Sequence, residues 1–392
     1  MNLTNEKFFV KTQFKNLFAD ENTLTLENNK VLSNINVAFQ TYGTLNSEGT
    51  NAVLICHALT GNAHAAGFLE GEEFDRNSKP DFLNSYSLQY SNQPGWWEPL
   101  IGPGKIIDTN KYFVVCSNIL GSCYGTTGPT SILPHSKNSK ETETYKNNFP
   151  IVTVRDMVRV EKELLNKLNV NHLEFAIGGS LGGMQVLEWM VMYPDFLTAG
   201  IPIATSAKHS AWAISLNETA RNAIMNDPTW KNGKYTKQPE KGLSLARKIA
   251  MLSYRTQPSF ERKFGRDRIK KGNYFKPGNL FQAQNYLDYQ GKKLVKRFDA
   301  NSYIYLTHAM DFHDLSYNRE SLSNVLNSVK CKTLCIGIDS DILYPTHEQK
   351  EIAILLGNSN YAEINSIHGH DAFLIEFEQL NKILHDFLSD LN

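Results

Sequence analysis

Around Leu173-Glu174-Phe175-Ala176-Ile177-Gly178-Gly179-Ser180-Leu181-Gly182-Gly183-Met184-Gln185-Val186-Leu187-Glu188-Trp189-Met190 the chain changes period. An apolar, strand-like run breaks at two glycines, a serine stands at the break, and Met184, Leu187 and Met190 then recur at helical spacing with no linker. The pattern predicts a strand, a sharp turn and a helix. Gly178-Gly179-Ser180-Leu181-Gly182 reads G-x-S-x-G, the spacing of an elbow too tight for side chains beside an exposed serine. A helix that starts just after Ser180 also aims free N–H groups and its positive dipole end at the reacting oxygen. Glycine–serine turns without chemistry are common. The strand before this one and the helix after it favour a catalytic nucleophile.

Outward from the elbow, the same alternation continues. Upstream, Ile35–Tyr42, Ala52–Cys56 and Tyr112–Asn118 read as strands. Thr153-Val154-Arg155-Asp156 makes a capping-box start for a helix whose stripe is Met157, Val160, Leu164 and Leu168. The polar segment from about Gly67 to Gly104, with Pro94-Gly95-Trp96-Trp97, reads as a long loop. Downstream come a strand at Ala199–Ala204, then only helical segments and turns from Ser206 to Asp314, then strands at Thr333–Ile338 and Tyr361–Ile364 and a closing helix from Asp371 to Leu391. Strand and helix in alternation predict an α/β fold, a mostly parallel sheet with helices on both faces. The helical stretch reads as an insertion, dividing the chain into 1–205, 206–314 and 315–392. Within it, Lys292, Lys293, Lys296 and Arg297 read as a solvated face.

A serine hydroxyl needs a base within hydrogen-bond reach and an acid that orients the base. With such an elbow, acid and histidine follow the serine in the chain. Thr333–Ile338 runs into Asp339-Ser340-Asp341, and the next strand into His368-Gly369-His370-Asp371, both at the carboxyl ends where open α/β sheets build their sites. Two acids and two histidines stay open at this point. The oxyanion of an acyl-transfer intermediate needs two N–H donors: Leu181, directly after the serine, offers one, and Leu59 in His57-Ala58-Leu59-Thr60-Gly61 is the natural source of the other. His57 itself reads as a residue that structures that loop. A rival nucleophile, Cys123 in Gly121-Ser122-Cys123-Tyr124-Gly125, is followed by loop rather than helix, and this segment reads as a lining of the site.

The 392 residues hold 40 basic and 40 acidic side chains, a balance that favours neither nucleic acid nor an anionic membrane and points to a small-molecule substrate. The start carries no basic-then-apolar leader, and no apolar run approaches the roughly 18 residues of a membrane helix, so a cytoplasmic location is expected. Five cysteines without paired C-x-x-C spacing predict no disulfide framework, and neither an H-E-x-x-H pattern nor a His/Cys cluster predicts a metal.

Taken together, His57-Ala58-Leu59-Thr60-Gly61, Gly95-Trp96-Trp97, Ile101-Gly102-Pro103-Gly104-Lys105, Asn118-Ile119-Leu120-Gly121-Ser122-Cys123, Gly178 to Gln185, Asp299-Ala300-Asn301-Ser302-Tyr303, Ser340-Asp341 and Gly369-His370-Asp371-Ala372-Phe373-Leu374 resemble the homoserine O-acetyltransferases of methionine biosynthesis, members of the α/β-hydrolase superfamily. The resemblance implies an α/β-hydrolase fold with an inserted helical lid and a catalytic set of Ser180, Asp341 and His370. It also implies a ping-pong transfer from acetyl-CoA, a co-substrate rather than a bound cofactor, to L-homoserine. By the same resemblance, Arg247 in Gly242-Leu243-Ser244-Leu245-Ala246-Arg247 pairs with the substrate carboxylate, Asp371 receives its ammonium, and two copies form a homodimer through the lid. Relatives on this scaffold use succinyl-CoA or accept serine, and an esterase could work from the same three residues. Departures from the family pattern are the bulky segment near Phe68–Gln93, Leu181 where methionine is frequent, and Thr126-Thr127.

Overall fold

The computed structural model of the chain describes residues 7–19, 22–70, 82–90, 92–133, 143–269, 278 and 280–391. Its central sheet has eight strands: β1 Gln13–Leu17, β2 Ile35–Tyr42, β3 Ala52–Cys56, β4 Phe113–Ser117, β5 Leu173–Gly179, β6 Leu197–Ile203, β7 Lys332–Ile338 and β8 Ser359–Ile364. The spatial order is β8-β7-β6-β5-β3-β4-β2-β1. All neighbours from β8 to β4 run parallel, and β2 runs antiparallel to both β4 and β1.

Parallel strands must be covered on both faces, and the central ones are built for it. In β3, Ala52, Leu54 and Cys56 enter the core on one side of the sheet, while Val53 and Ile55 enter the core on the other. The first side is covered by α2 Val154–Lys167 and α3 Leu181–Met192. Helix α2 starts as expected: Thr153 Oγ1 accepts from Asp156 N, and Asp156 returns the bond to the Thr153 N–H.

Three expectations are corrected. The stretch from Gly67 to Gly104 is not all loop: it holds α1 Phe82–Tyr90 and short strands at Phe68–Leu69 and Ile101–Gly102, while 71–81 and 91 lie outside the described residues. Helix α1 has the sequence FLNSYSLQY and buries only Ser87, so no apolar period marks it. The closing helix is two elements, a 3-10 turn Gly369–Leu374 and α11 Phe377–Ser389, separated because Ile375 leaves helical geometry at φ −133°. Strand β1, mostly exposed along its length, was absent from the sequence reading.

Between β6 and β7 the described residues carry α4 Ala211–Met225, α5 Glu240–Tyr254, α6 Gln257–Phe264, α7 Gln282–Val295 and α8 Ala300–Asp311. They include only isolated bridges, Lys208 with Asp314 and Arg268 with Phe281, and no strand. The chain continues through α9 Leu322–Asn327 to β7, and α10 Thr346–Leu355 joins β7 to β8. No described helix is long and apolar enough to cross a membrane.

Candidate active site

The turn between β5 and α3 is pinned from both sides. Register places Gly178 opposite Cys56 of β3 and Gly179 opposite Ile203 of β6. Ser180 N donates to Ile203 O at 2.9 Å, and Thr205 Oγ1 donates to Ser180 O at 2.9 Å. These bonds hold Ser180 at φ 60°, ψ −124°, left-handed backbone that a non-glycine residue adopts at a cost of about 1–3 kcal/mol. The flanking glycines answer to contact rather than flexibility. A Cβ on Gly182 would lie 2.1 Å from Cys56 O, one on Gly178 2.6 Å from the same oxygen, and one on Gly179 2.6 Å from the Phe373 ring.

Of the two acids after β7, Asp341 turns inward. Its Oδ1 accepts from Leu343 N at 2.8 Å and Tyr344 N at 3.0 Å, and its Oδ2 lies 2.7 Å from His370 Nδ1. Asp339 is exposed and accepts from Ser366 N, tying down the loop after β8. Of the two histidines, His370 is buried against the rings of Tyr254, Tyr344 and Phe373, whereas His368 Nδ1 lies 3.3 Å from Arg255 Nη1. Burial disfavours a proton on His370. The Asp341 carboxylate and, further off, Asp371 outweigh that and hold its proton affinity above the ordinary value of 6.5. With Nδ1 donating to Asp341, Nε2 is left as the lone-pair nitrogen of the neutral ring.

The loop after β3 meets the start of α3. Gln185 Nε2 bridges them, donating to Leu181 O at 3.0 Å and His57 O at 3.3 Å. Among the described residues the N–H groups of Leu59 and Leu181 have no hydrogen-bond acceptor. Ile119 N donates to His57 Nε2 at 3.2 Å, which assigns the ring proton to Nδ1 and its bond to Ala58 O at 2.8 Å. Burial lowers the His57 pKa to about 4, so this ring is a neutral fastener of the loop. Cys123 is buried, and burial pushes its thiol well above the ordinary value with Asp299 adding to the effect. A thiolate is disfavoured there, and the rival nucleophile loses its chemistry.

A cavity of about 240 Å³ opens beside the elbow, lined among others by Thr60, Tyr90, Gly179, Arg247, Arg297 and Phe373. Arg247 reaches it from α5 and lies over the Tyr254 ring at 5.4 Å. Asp371 sits on the same 3-10 turn as Phe373, with Arg255 Nε 3.2 Å from its Oδ2. Burial raises the Asp371 pKa; Arg255 first, then Arg247, oppose it without cancelling it. Two members of this region were missed from sequence. Arg255 follows the last residue of α5 and has no pattern to mark it. Arg297 belongs to no solvated face: Nη1 donates to Thr60 O at 2.8 Å and Tyr124 OH at 2.6 Å. Its neighbour Phe298, buried three residues after α7 and in line with Leu287, Gly291 and Leu294, was the available signal. Among the described residues no group of three His, Cys, Asp or Glu side chains is placed to hold a metal ion.

A family model described as the alpha/beta hydrolase fold matches residues 51–376, and sheet order and elbow together define an enzyme of that class. The chain is 48% identical over 374 residues, 94% of its length and 94% of the relative's, to a homoserine O-acetyltransferase of Moorella thermoacetica. It belongs to the homoserine O-acetyltransferase family and is an acyltransferase. The crystal structure of a homoserine O-acetyltransferase from Bacillus anthracis superposes with a TM-score of 0.83 at 30% identity, covering 97% of this chain and 98% of that one. The crystal structure of esterase E22 superposes almost as well, with a TM-score of 0.82 at 27% identity over 97% of this chain and 100% of that one.

Proposed function

We propose that the protein transfers the acetyl group of acetyl-CoA to the hydroxyl of L-homoserine by a ping-pong mechanism, giving O-acetyl-L-homoserine. The observation that carries this reading is the meeting around one cavity of the elbow glycine Gly179, the Arg247 guanidinium, and the turn that bears His370 and Asp371. In the first half-reaction, Ser180 Oγ attacks the thioester carbonyl carbon while His370 Nε2 takes its proton. The oxyanion rests on the N–H groups of Leu59 and Leu181 until the C–S bond breaks and the thiol leaves with the proton from His370. In the second, His370 removes the homoserine hydroxyl proton, that oxygen attacks the acyl-serine, and Ser180 Oγ departs protonated.

The charges beside the nucleophile support this acceptor. A guanidinium pairs bidentately with a carboxylate, so Arg247 suits one end of an amino acid, and Asp371 suits the ammonium at the other. An esterase acting on neutral esters has no use for this pair. Because the backbone of esterase E22 is so similar, water must still compete as an acceptor in any test. Pairing of two copies through the helices between β6 and β7 is part of the same reading. It is supported by the exposure of Trp212 on α4 and of Leu245 and Leu252 on α5.

A thiol-trapping assay with acetyl-CoA or succinyl-CoA, each against homoserine, serine and water, tests the reading. Thiol release should require homoserine and acetyl-CoA and should vanish in Ser180→Ala. Equal release with water alone would make the protein a hydrolase, and faster turnover with succinyl-CoA or serine would reassign donor or acceptor.

A further inference from the structure

A second cavity, about 680 Å³, adjoins the first and carries a different chemistry. Lys241 enters it from the first turn of α5, Lys292 and Lys293 from the last turn of α7, and Lys296 from the residue after that helix. Among the described residues its one carboxylate is Glu240, 3.9 Å from Lys237, so four ammonium groups face one acid there, an excess of three positive charges. Among the described residues Lys241, Lys292 and Lys296 make no ion pair, and Lys293 lies over the Tyr90 ring at 5.3 Å. Helix electrostatics explain half of this arrangement. Lysines at the end of α7 complement its negative pole, but Lys241 stands at the positive pole of α5, where a cation is unfavourable.

The two cavities are neighbours along three elements. Gln89 lines the outer and Tyr90 the inner, adjacent on α1. Lys296 lines the outer and Arg297 the inner, adjacent after α7. Ser244 lines the outer and Arg247 the inner, one turn apart on α5. A ligand whose reacting carbonyl sits beside Gly179 would have to pass Arg247 and Tyr90 to reach the basic chamber, and both residues line the inner cavity.

We infer that the chamber formed by Lys241, Lys292, Lys293 and Lys296 binds the phosphate groups of the acyl-CoA donor, with the thioester arm running along α5 to the elbow. This rests on the acyl-CoA reading above. Ammonium groups bind phosphate as point charges that tolerate several orientations, which suits the remote end of a long carrier rather than its reacting end. It also gives the outer cavity a function separate from homoserine, which Arg247 and Asp371 address.

The test compares two donors that share a thioester arm, acetyl-CoA and phosphate-free S-acetylpantetheine, in the full-length wild type and in Lys292→Ala/Lys296→Ala, at saturating homoserine. Lys292 and Lys296 are exposed, so the fold does not depend on them. In the wild type the KM for acetyl-CoA should be the lower of the two. In the double variant the preference for acetyl-CoA should fall roughly tenfold or more, the size expected for losing charged contacts, and its sensitivity to added salt should fall with it. Lys241→Glu, which reverses a charge from another helix, should lower the preference too. An unchanged preference in both variants would overturn the assignment, as would an equal rise in KM for both donors. Wild-type protein that turns over neither thioester would instead remove the acyl-CoA reading itself.

Discussion

His370 is where pH meets the mechanism. In the proposed mechanism it must be neutral to accept a proton from Ser180, and Asp341 and Asp371 hold its proton affinity above 6.5 in spite of burial. Raising the pKa of a base extends its protonated, inactive form to higher pH. Acyl transfer by the free enzyme should therefore fall on acidification along a limb whose midpoint lies above 6.5. The pH profile of kcat/KM for the thioester checks this, and a midpoint below 6.5 would contradict the proximity of the two carboxylates. Asp371 is a subtler case, since the proposed contact with the substrate ammonium requires it ionised while burial favours its neutral form. Arg255, 3.2 Å away, is the main influence that keeps it charged, and on the proposed reading it positions Asp371 for the acceptor.

At the scale of elements, the elbow works because α3 begins in contact with the end of β3. Gly182→Ala would place a methyl 2.1 Å from Cys56 O, and relief would have to come from the backbone of α3 beside Leu181 or of the end of β3. The variant should lose about 1–3 kcal/mol of stability, the usual range for overpacking. It should also lose single-turnover acylation beyond what the unfolded fraction explains. Denaturant midpoints alongside a single-turnover assay would show both, and full acylation in a folded variant would count against the oxyanion role of Leu181. The same element shows what a sequence makes readable. Strands β2 and β3 have the bounds their apolar patterns predicted, because a strand covered on both faces records its burial locally. The break between the 3-10 turn and α11 was invisible, because distant contacts hold the turn: Trp97 Nε1 donates to Phe373 O at 3.1 Å, and the Phe373 ring abuts Gly179. Asp339 and Asp341 are alike to any periodicity. The inward turn of Asp341 depends on its bonds to Leu343 N and Tyr344 N, which appear only once the loop is folded.

Over the whole molecule, the described helices between β6 and β7 share the core of the sheet. Ala213, Leu243, Ala246, Phe298 and Tyr303 belong to the same apolar cluster as Leu54 of the sheet and Leu187 of α3. The helical segment is an insertion in sequence and a continuation in packing. Calorimetry should accordingly show one unfolding transition, although chains of this length often show more. Two well-separated transitions would mean that the helices 211–311 fold as an independent unit. Continuity also explains how the proposed active site can draw Ser180, Asp341 and His370 from the sheet and Arg247 from α5.

The contact between Gly179 and the Phe373 ring has a mechanical consequence. Gly179 precedes Ser180 by one residue, and Phe373 follows His370 by three on the same turn. Any drift of one therefore drags the other, so the positional errors of the two are correlated. The separation between hydroxyl and imidazole is then expected to vary less than the position of either group against the rest of the protein. A glycine at 179 thus acts as a gauge block that sets the tolerance of a gap it does not itself border.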